Sequence, residues 1–588
     1  MHLTLVRLTT DPLPRSPDFP AGRALAYTTY LMANRLHRAV LLLLAALLLA
    51  PFSLASAYDG KPKLIVIVIA DQFRGDFLER ARSSFGPGGF NLFLERGAVF
   101  TGCHYDYATT HTAPGHATLL TGAYPDGHGI ASNQWWDPEK KRTVTSVEDE
   151  RTQIVGLPEG TAKTGASPRK LLASTLGDVL KLATGGKSRV FAISLKDRSA
   201  VLPGGYAGDG VYWIDRPSGA IVTSTYYAKE LPAWVQQFNQ SGRAGNYWNR
   251  EWKDASGKIL GSTAPRKDKD GSDEGFFEVV GSTPFANDYE LEFARELVLK
   301  EKLGSGPAPD LLIVALTATD ILGHEAGPDS PDVRAMVEAM DSQLAGFFQF
   351  LDKQVGLANV WMAFSADHGI APLPRYASKL HLPAGSFSPK EVRARANAAL
   401  SARFSPDRLT EFVRALEWPI AYLNIEAFSS AQLSEADAER AAGEVLLKEG
   451  PALDFFTRSQ IARGELPQDG TGRRYAHSAS PYGGWWVILV PQAYVVGYPG
   501  GTDHSSPYTY DTHVPLAFYG VPFQPGTYRG HAEPVDLAPT LASLLGISPP
   551  SHSVGRVLTE ALAPAPPRTG KGKGKPKAPP KATPQATQ

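Results

Sequence analysis

The sequence predicts an α/β fold: a doubly wound, mostly parallel central sheet with two elaborating insertions. Three observations predict it. Four apolar runs are continuous rather than alternating, which marks strands covered on both faces. Helical patterns separate them, the alternation that builds a parallel sheet. Each run ends just ahead of an acid, a base or a histidine, and ligands of open α/β sheets gather beyond the carboxyl ends of the strands.

In chain order, residues 63–70 (KLIVIVIA) form the first strand and stop at Asp71. A helix is expected to start near Pro114, where proline suits a first turn. Residues 169–182 read as a helix, and 189–194 as the second strand, ahead of Lys196 and Arg198. Residues 201–288, rich in Tyr, Trp, Gly and Lys, read as the first insertion. A helix over 288–303 leads to the third strand, 310–316, ahead of Asp320 and His324. A helix over 331–355 leads to the fourth, 360–365, ahead of Asp367 and His368. Residues 371–500 read as the second insertion, helical at first and then strand-like and aromatic at 484–490. Both insertions are expected to cap the site. A further buried strand is expected from Val514 to Tyr519.

The ends of the chain differ from its body. Residues 1–57 carry five Arg and two Asp, and the tail from Arg568 carries one Arg and five Lys. With a formal net charge of +0 overall, the body between them is 0 − 3 − 6 = −9. An acidic body argues against nucleic acid as a partner. From Met32, the more natural start, the chain reads as a secretory signal. Arg35 and Arg38 precede the apolar run AVLLLLAALLLA, Pro51 ends it, and Ala55-Ser56-Ala57 suits cleavage. The run is short for a bilayer span. A periplasmic or secreted protein with no membrane span after cleavage is therefore expected, and a monomer. The domain plan is 1–57 extension and signal, 58–562 catalytic domain, and 563–588 a disordered Pro/Lys-rich tail. The tail's Gly-Lys repeats lack the strand and helix of a phosphate-binding loop. With one cysteine, Cys103, no intrachain disulfide can form, so core packing and metals must hold an exported fold. Cys103 reads as a small buried residue.

The chemistry lies at the strand ends. Hydrolytic metal sites need neutral imidazoles and carboxylates on stiff elements. Asp320 and His324 share a face if their segment is helical. Asp367 and His368 sit at a strand end, where the chain turns. His504 is a further ligand candidate, with His513 its rival. Thr112, in Thr109-Thr110-His111-Thr112-Ala113-Pro114-Gly115-His116, is a hydroxyl nucleophile candidate, with Thr109 and Thr110 as alternatives. His111 and His116 read as packed or supporting residues. Trp135 and Trp136 read equally well as pocket wall and as core.

The arrangement resembles the alkaline phosphatase superfamily, and within it the phosphate-irrepressible (PafA-type) bacterial enzymes with a threonine nucleophile. The resemblance runs from Lys63 to Leu545. It rests on Thr112-Ala113-Pro114-Gly115-His116, Gly129-Ile130-Ala131-Ser132-Asn133, Lys196-Asp197-Arg198 and Tyr510-Asp511-Thr512-His513-Val514-Pro515. It implies two Zn²⁺ per chain. Asp71, Asp367, His368 and Thr112 would hold one, and Asp320, His324 and His504 the other. The implied reaction is hydrolysis of small-molecule phosphate monoesters through a covalent phospho-threonine. Asn133, Lys196 and Arg198 would bind the phosphate oxygens, Arg198 through two parallel hydrogen bonds. His504 is preferred over His513 because the family's histidine lies just before a Ser-Pro.

Two other branches are weighed. A sulfatase needs a Cys or Ser that becomes formylglycine within Cys/Ser-x-Pro-x-Arg, and neither it nor the Arg stands at Thr112–His116. A phosphodiesterase or nucleotide pyrophosphatase is the runner-up. Its substrate carries one charge fewer, so the Lys196/Arg198 pair favours the monoesterase. A non-catalytic metal- or phosphate-binding protein is disfavoured because all presumed ligands and the nucleophile are present.

Overall fold

The computed structural model describes residues 60–158, 160–254 and 256–563. The signal reading at 32–57, and the tail reading beyond Ala563, lie outside the described residues.

The central sheet has eleven strands. In chain order they are β1 (Leu64–Ala70), β2 (Ala98–Cys103), β3 (Glu148–Val155), β4 (Thr164–Ala166), β5 (Val190–Ser194), β6 (Gly210–Ile214), β7 (Ile221–Ser224), β8 (Asp310–Leu316), β9 (Val360–Ser365), β10 (Leu516–Tyr519) and β11 (Gly526–Ala532). Their spatial order is β11-β2-β10-β9-β1-β8-β5-β6-β7-β3-β4. The five middle strands, β9 to β6, run parallel. Every residue of β1, β5, β8 and β9 is buried, so the middle of the sheet is covered on both faces, as the continuous apolar runs require. The flanks are mixed. β10 runs antiparallel to both β9 and β2, and β7 antiparallel to β6 and β3. The parallel expectation therefore holds for the centre of the sheet and for the outer pair β11–β2, while the other flanking pairs are antiparallel.

Six helices matter for the site: α1 (Thr112–Thr121), α2 (Leu176–Ala183), α3 (Asp197–Gly204), α4 (Pro284–Lys300), α5 (Ala318–Ala326) and α6 (Pro331–Gln354). The helix expected over 169–182 starts seven residues late, at Leu176. Thr175 sets the start, because its side chain accepts the Asp178 amide while Asp178 accepts the Thr175 amide; such a capping box is worth more than the apolar spacing before it. α4 begins earlier than expected, with Pro284 in its first turn after Thr283. α6 starts after Ser330, whose side chain accepts the Val333 amide.

The stretch 201–288 is less separate than expected, since β6 and β7 within it are strands of the central sheet. The stretch 371–500 contains a second sheet of four strands, in the order Val413–Glu417, Ile420–Leu423, Trp486–Pro491, Ala452–Thr457. It has its own core, with Val392, Leu400, Phe412, Phe428, Leu446 and Leu489 all buried. This sheet leans on the hairpin Gln134–Asp137/Arg142–Thr145 that follows Asn133. Gln134 Nε2 donates to Glu417 at 2.8 Å, and Arg414 lies over Trp136. Among the described residues, no helix is long and apolar enough to cross a membrane.

Candidate active site

Strand register decides which side chains meet. Ala70 pairs with Leu316, Ile69 with Ser365, and Ala315 with Ser194. Four neighbouring parallel strands thus end at one level. Asp71 follows β1, Lys196 follows β5, Asp320 lies in α5 just after β8, and Asp367 and His368 follow β9.

α1 brings Thr112 to the same place as its first residue. The helix rests directly on Asp367. A Cβ on Gly115 would lie 2.2 Å from the Asp367 carbonyl oxygen. His116 Nδ1 lies 2.9 Å from the Thr112 carbonyl oxygen and 3.2 Å from Asp367 Oδ2. Gly115→Ala is therefore expected to push the start of α1 off Asp367. A fall in kcat/KM of about tenfold or more should accompany a lowered melting temperature, since overpacking costs about 1–3 kcal/mol; unchanged kinetics would show that this contact does not place Thr112.

The metal-ligand candidates form one continuous cluster. Asp71, Asp367 and His368 offer ligand atoms within 4.8 Å of one another, and so do Asp320, His368 and His504. His324 Nε2 stands 3.3 Å from Asp320 Oδ1, and His504 Nε2 3.9 Å from the same oxygen. The three imidazoles are oriented alike. Nδ1 of His324 reaches the Thr502 carbonyl at 2.8 Å, that of His368 the Gly369 carbonyl at 2.8 Å, and that of His504 the Thr110 carbonyl at 2.6 Å. A carbonyl only accepts, so each Nδ1 carries a proton, and in the neutral ring Nε2 presents a lone pair to the cluster. Burial holds His368 and His504 below the usual imidazole range, which favours that neutral form. Burial would also lower His324, but Asp320 outweighs it and lifts it to about 9.

These residues fit divalent cations. Asp71 Oδ1, Asp367 Oδ2 and His368 Nε2 are buried without a hydrogen-bond partner. His368 Nε2 faces those two oxygens at 3.6 and 3.5 Å. Orphaned ligand atoms are expensive in an apolar interior unless a cation takes them. Burial, with Asp320 and Asp367 nearby, pushes the Asp71 carboxyl well above its ordinary range, the mark of negative charge gathered for a cation.

Two residues between the ligand sets were not singled out in the sequence or are placed otherwise than expected. Gln72 was missed. Its amide donates to Asp367 Oδ1 at 3.0 Å and its side chain to Asp320 Oδ1 at 2.8 Å, tying one set to the other. Its backbone is left-handed, at φ 63°, which no pattern in the surrounding sequence announces. Lys196 was expected on the phosphate beside Arg198. It borders the same cavity as Arg198, and its ammonium also lies 2.8 Å from Asp71 Oδ2 and 2.5 Å from Asp320 Oδ2. Burial would lower its pKa, yet Asp320 and Asp71 hold it above the usual lysine range. Buried carboxylates attract the nearest long cationic side chain. Behind it Glu290 of α4, also missed, is fully buried facing the amides of Leu195 and Thr317.

The residues expected to bind phosphate, Asn133, Lys196 and Arg198, border one cavity of about 840 Å³, together with Trp213 and Phe277. The Ala113 amide donates to Asn133 Oδ1 at 2.8 Å. That fixes the amide group, so its NH₂ is free to donate. Arg198 Nε is buried without a hydrogen-bond partner. His513 is elsewhere: it stacks on His104 at 4.7 Å, and its Nε2 lies 2.9 Å from the Thr101 carbonyl. Trp135 is core, stacked on Tyr482. Cys103 is buried and free.

A model of the family described as type I phosphodiesterase / nucleotide pyrophosphatase matches residues 64–503. The chain is 33% identical over 522 residues to alkaline phosphatase PafA of Elizabethkingia meningoseptica, spanning 85% of this chain and 95% of that one. It is 30% identical over 536 residues to alkaline phosphatase PhoV of Synechococcus elongatus, spanning 86% and 93%. The crystal structure of wild-type PafA matches with a TM-score of 0.77 at 31% identity, over 86% of this chain and 99% of that one.

Proposed function

Because this chain belongs to the type I phosphodiesterase / nucleotide pyrophosphatase family, as a PafA-type member of the alkaline phosphatase superfamily, we propose that it is an exported phosphomonoesterase working through a phospho-threonine. The observation that carries this reading is the convergence of Asn133, Lys196 and Arg198 on one cavity, with Asn133 tied through its Oδ1 to the Ala113 amide, next to Thr112 at the start of α1.

Asp71, Asp367, His368 and Thr112 would hold one divalent cation, and Asp320, His324 and His504 the other, zinc in this reading. Bound there, the pair supplies Lewis acidity at the attacking hydroxyl and at the leaving oxygen. The remaining work falls to the chain's own groups. Oγ1 of Thr112 attacks phosphorus, the ester P–O bond breaks and the alcohol leaves. Water then attacks the phospho-threonine, the P–Oγ bond breaks, and phosphate departs with Thr112 restored. A monoester dianion spreads charge over three oxygens, so positioned donors matter most. The fixed Asn133 NH₂ and the first amides of α1 meet one side of it. Arg198 meets another, and its planar fork matches two oxygens at once. Lys196 adds positive charge at the edge of the cavity, beside Asp71 and Asp320, and Arg198, with its unpartnered Nε, is the cation best placed to read the extra charge. Export rests on the signal reading of 32–57.

The test is kcat/KM for p-nitrophenyl phosphate beside bis-p-nitrophenyl phosphate, on the zinc-loaded mature protein at alkaline pH. A large monoester preference, lost on chelation and restored by Zn²⁺, is expected. Diester preference would move the protein to the phosphodiesterase branch, and turnover of neither would leave a binding protein.

A further inference from the structure

A carboxylate outside the proposed ligand sets lies beside the second of them. Asp503 falls between Thr502, whose carbonyl holds His324 Nδ1, and His504. The loop that carries it packs against α5, where a Cβ on Gly501 would lie 2.3 Å from the His324 carbonyl oxygen. Asp503 Oδ1 accepts the His504 amide at 2.9 Å, so the carboxylate is aimed. The same oxygen lies 3.9 Å from His504 Nε2. Asp320 Oδ1 lies 3.9 Å from that nitrogen as well. Asp503 is thus as near to the ligating nitrogen as the acid already assigned to the set. His324, Asp503 and His504 together offer ligand atoms within 4.8 Å of one another. Ligands about 2.0–2.2 Å from one tetrahedral zinc stand roughly 3.3–3.6 Å apart, so a small side-chain movement brings Asp503 into range. Asp320 and His504 are almost fully enclosed, while His324 and Asp503 are partly exposed.

We propose that Asp503 is a fourth protein ligand of the cation held by Asp320, His324 and His504. This rests on the two-metal reading above. Its physical consequence is a change in charge. One carboxylate leaves a bound dication with a net positive charge, whereas two neutralise it and hold it more tightly.

Asp503→Asn keeps the shape and removes the charge. Wild-type and variant proteins are stripped, then titrated with Zn²⁺ against a competing chelator, with Co²⁺ absorption as a second readout. The wild type is expected to take up two equivalents. In the variant one equivalent should weaken about 10–100-fold, the loss typical when a group supporting a metal site is removed, and the Co²⁺ spectrum should change while the other equivalent is unaffected. Two equivalents of wild-type affinity with an unchanged spectrum would overturn the assignment. Weaker affinity with an unchanged spectrum would also overturn it, making Asp503 an electrostatic neighbour. Fewer than two equivalents in the wild type would instead overturn the two-metal reading. Melting of both stripped proteins separates lost ligation from lost folding.

Discussion

Thr112→Ala is expected to cut phosphomonoester turnover by roughly three orders of magnitude or more, with the melting temperature of the stripped protein close to wild type and only the metal equivalent that Thr112 helps hold weakened. The size follows from the role: removing a nucleophile eliminates the covalent route, and what remains is the residual effect of binding and electrostatics. The selectivity follows from the geometry. Thr112 is the first residue of α1, and the helix is seated through Gly115, His116 and Ala113 rather than through the threonine hydroxyl. Quenched-flow trapping with labelled substrate should find phosphate on the wild-type protein and none on the variant. Near-normal turnover, or phosphate trapped on Thr109 or Thr110, would move the nucleophile.

Arg198→Ala is expected to lower monoester kcat/KM by about 10–150-fold and to leave diester hydrolysis changed by only a few-fold. A hydrogen bond to a charged group contributes about 1.5–3 kcal/mol, and a diester has one charge fewer for the guanidinium to meet. The structure sharpens the choice between the two cations. Lys196 is held between Asp71 and Asp320, whereas Arg198 borders the cavity with a buried, unpartnered Nε. Lys196→Ala should behave differently: it removes the charge that bridges the two ligand sets, so its losses should fall on monoester and diester alike. Equal losses on both substrates in Arg198→Ala would show that Arg198 does not read the extra phosphate charge.

Much of the site was legible because local chemistry announced it. A strand buried on both faces must be apolar throughout, so an acid directly after such a strand, as at Asp71, stands out. The spacing of Asp320 and His324 places both on one side of α5, and the structure brings their side chains together. Other features left no such trace. The start of α2 was misplaced because a reciprocal cap between Thr175 and Asp178 overrides apolar spacing. The sequence reads β6 and β7 as part of an insertion because they are only five and four residues long and lie in a stretch rich in Gly, Lys and aromatic residues, although both are buried. Gln72 looked like an ordinary polar residue after a strand, although its two hydrogen bonds join acids that are 248 and 295 residues away in sequence.

The sequence by itself determined the class of fold, the segments that form its parallel centre, and the types of residue that end them. These depend on burial and on short-range spacing, which periodicity records. Only the tertiary structure decided that four strands end at one level, that Gln72 ties one ligand set to the other, and that Asp503 stands beside the second ligand set. It also decided that Lys196 lies between the two ligand sets rather than on the phosphate side alone. Those outcomes depend on strand register and on distances between residues far apart in the chain, and no local pattern encodes either.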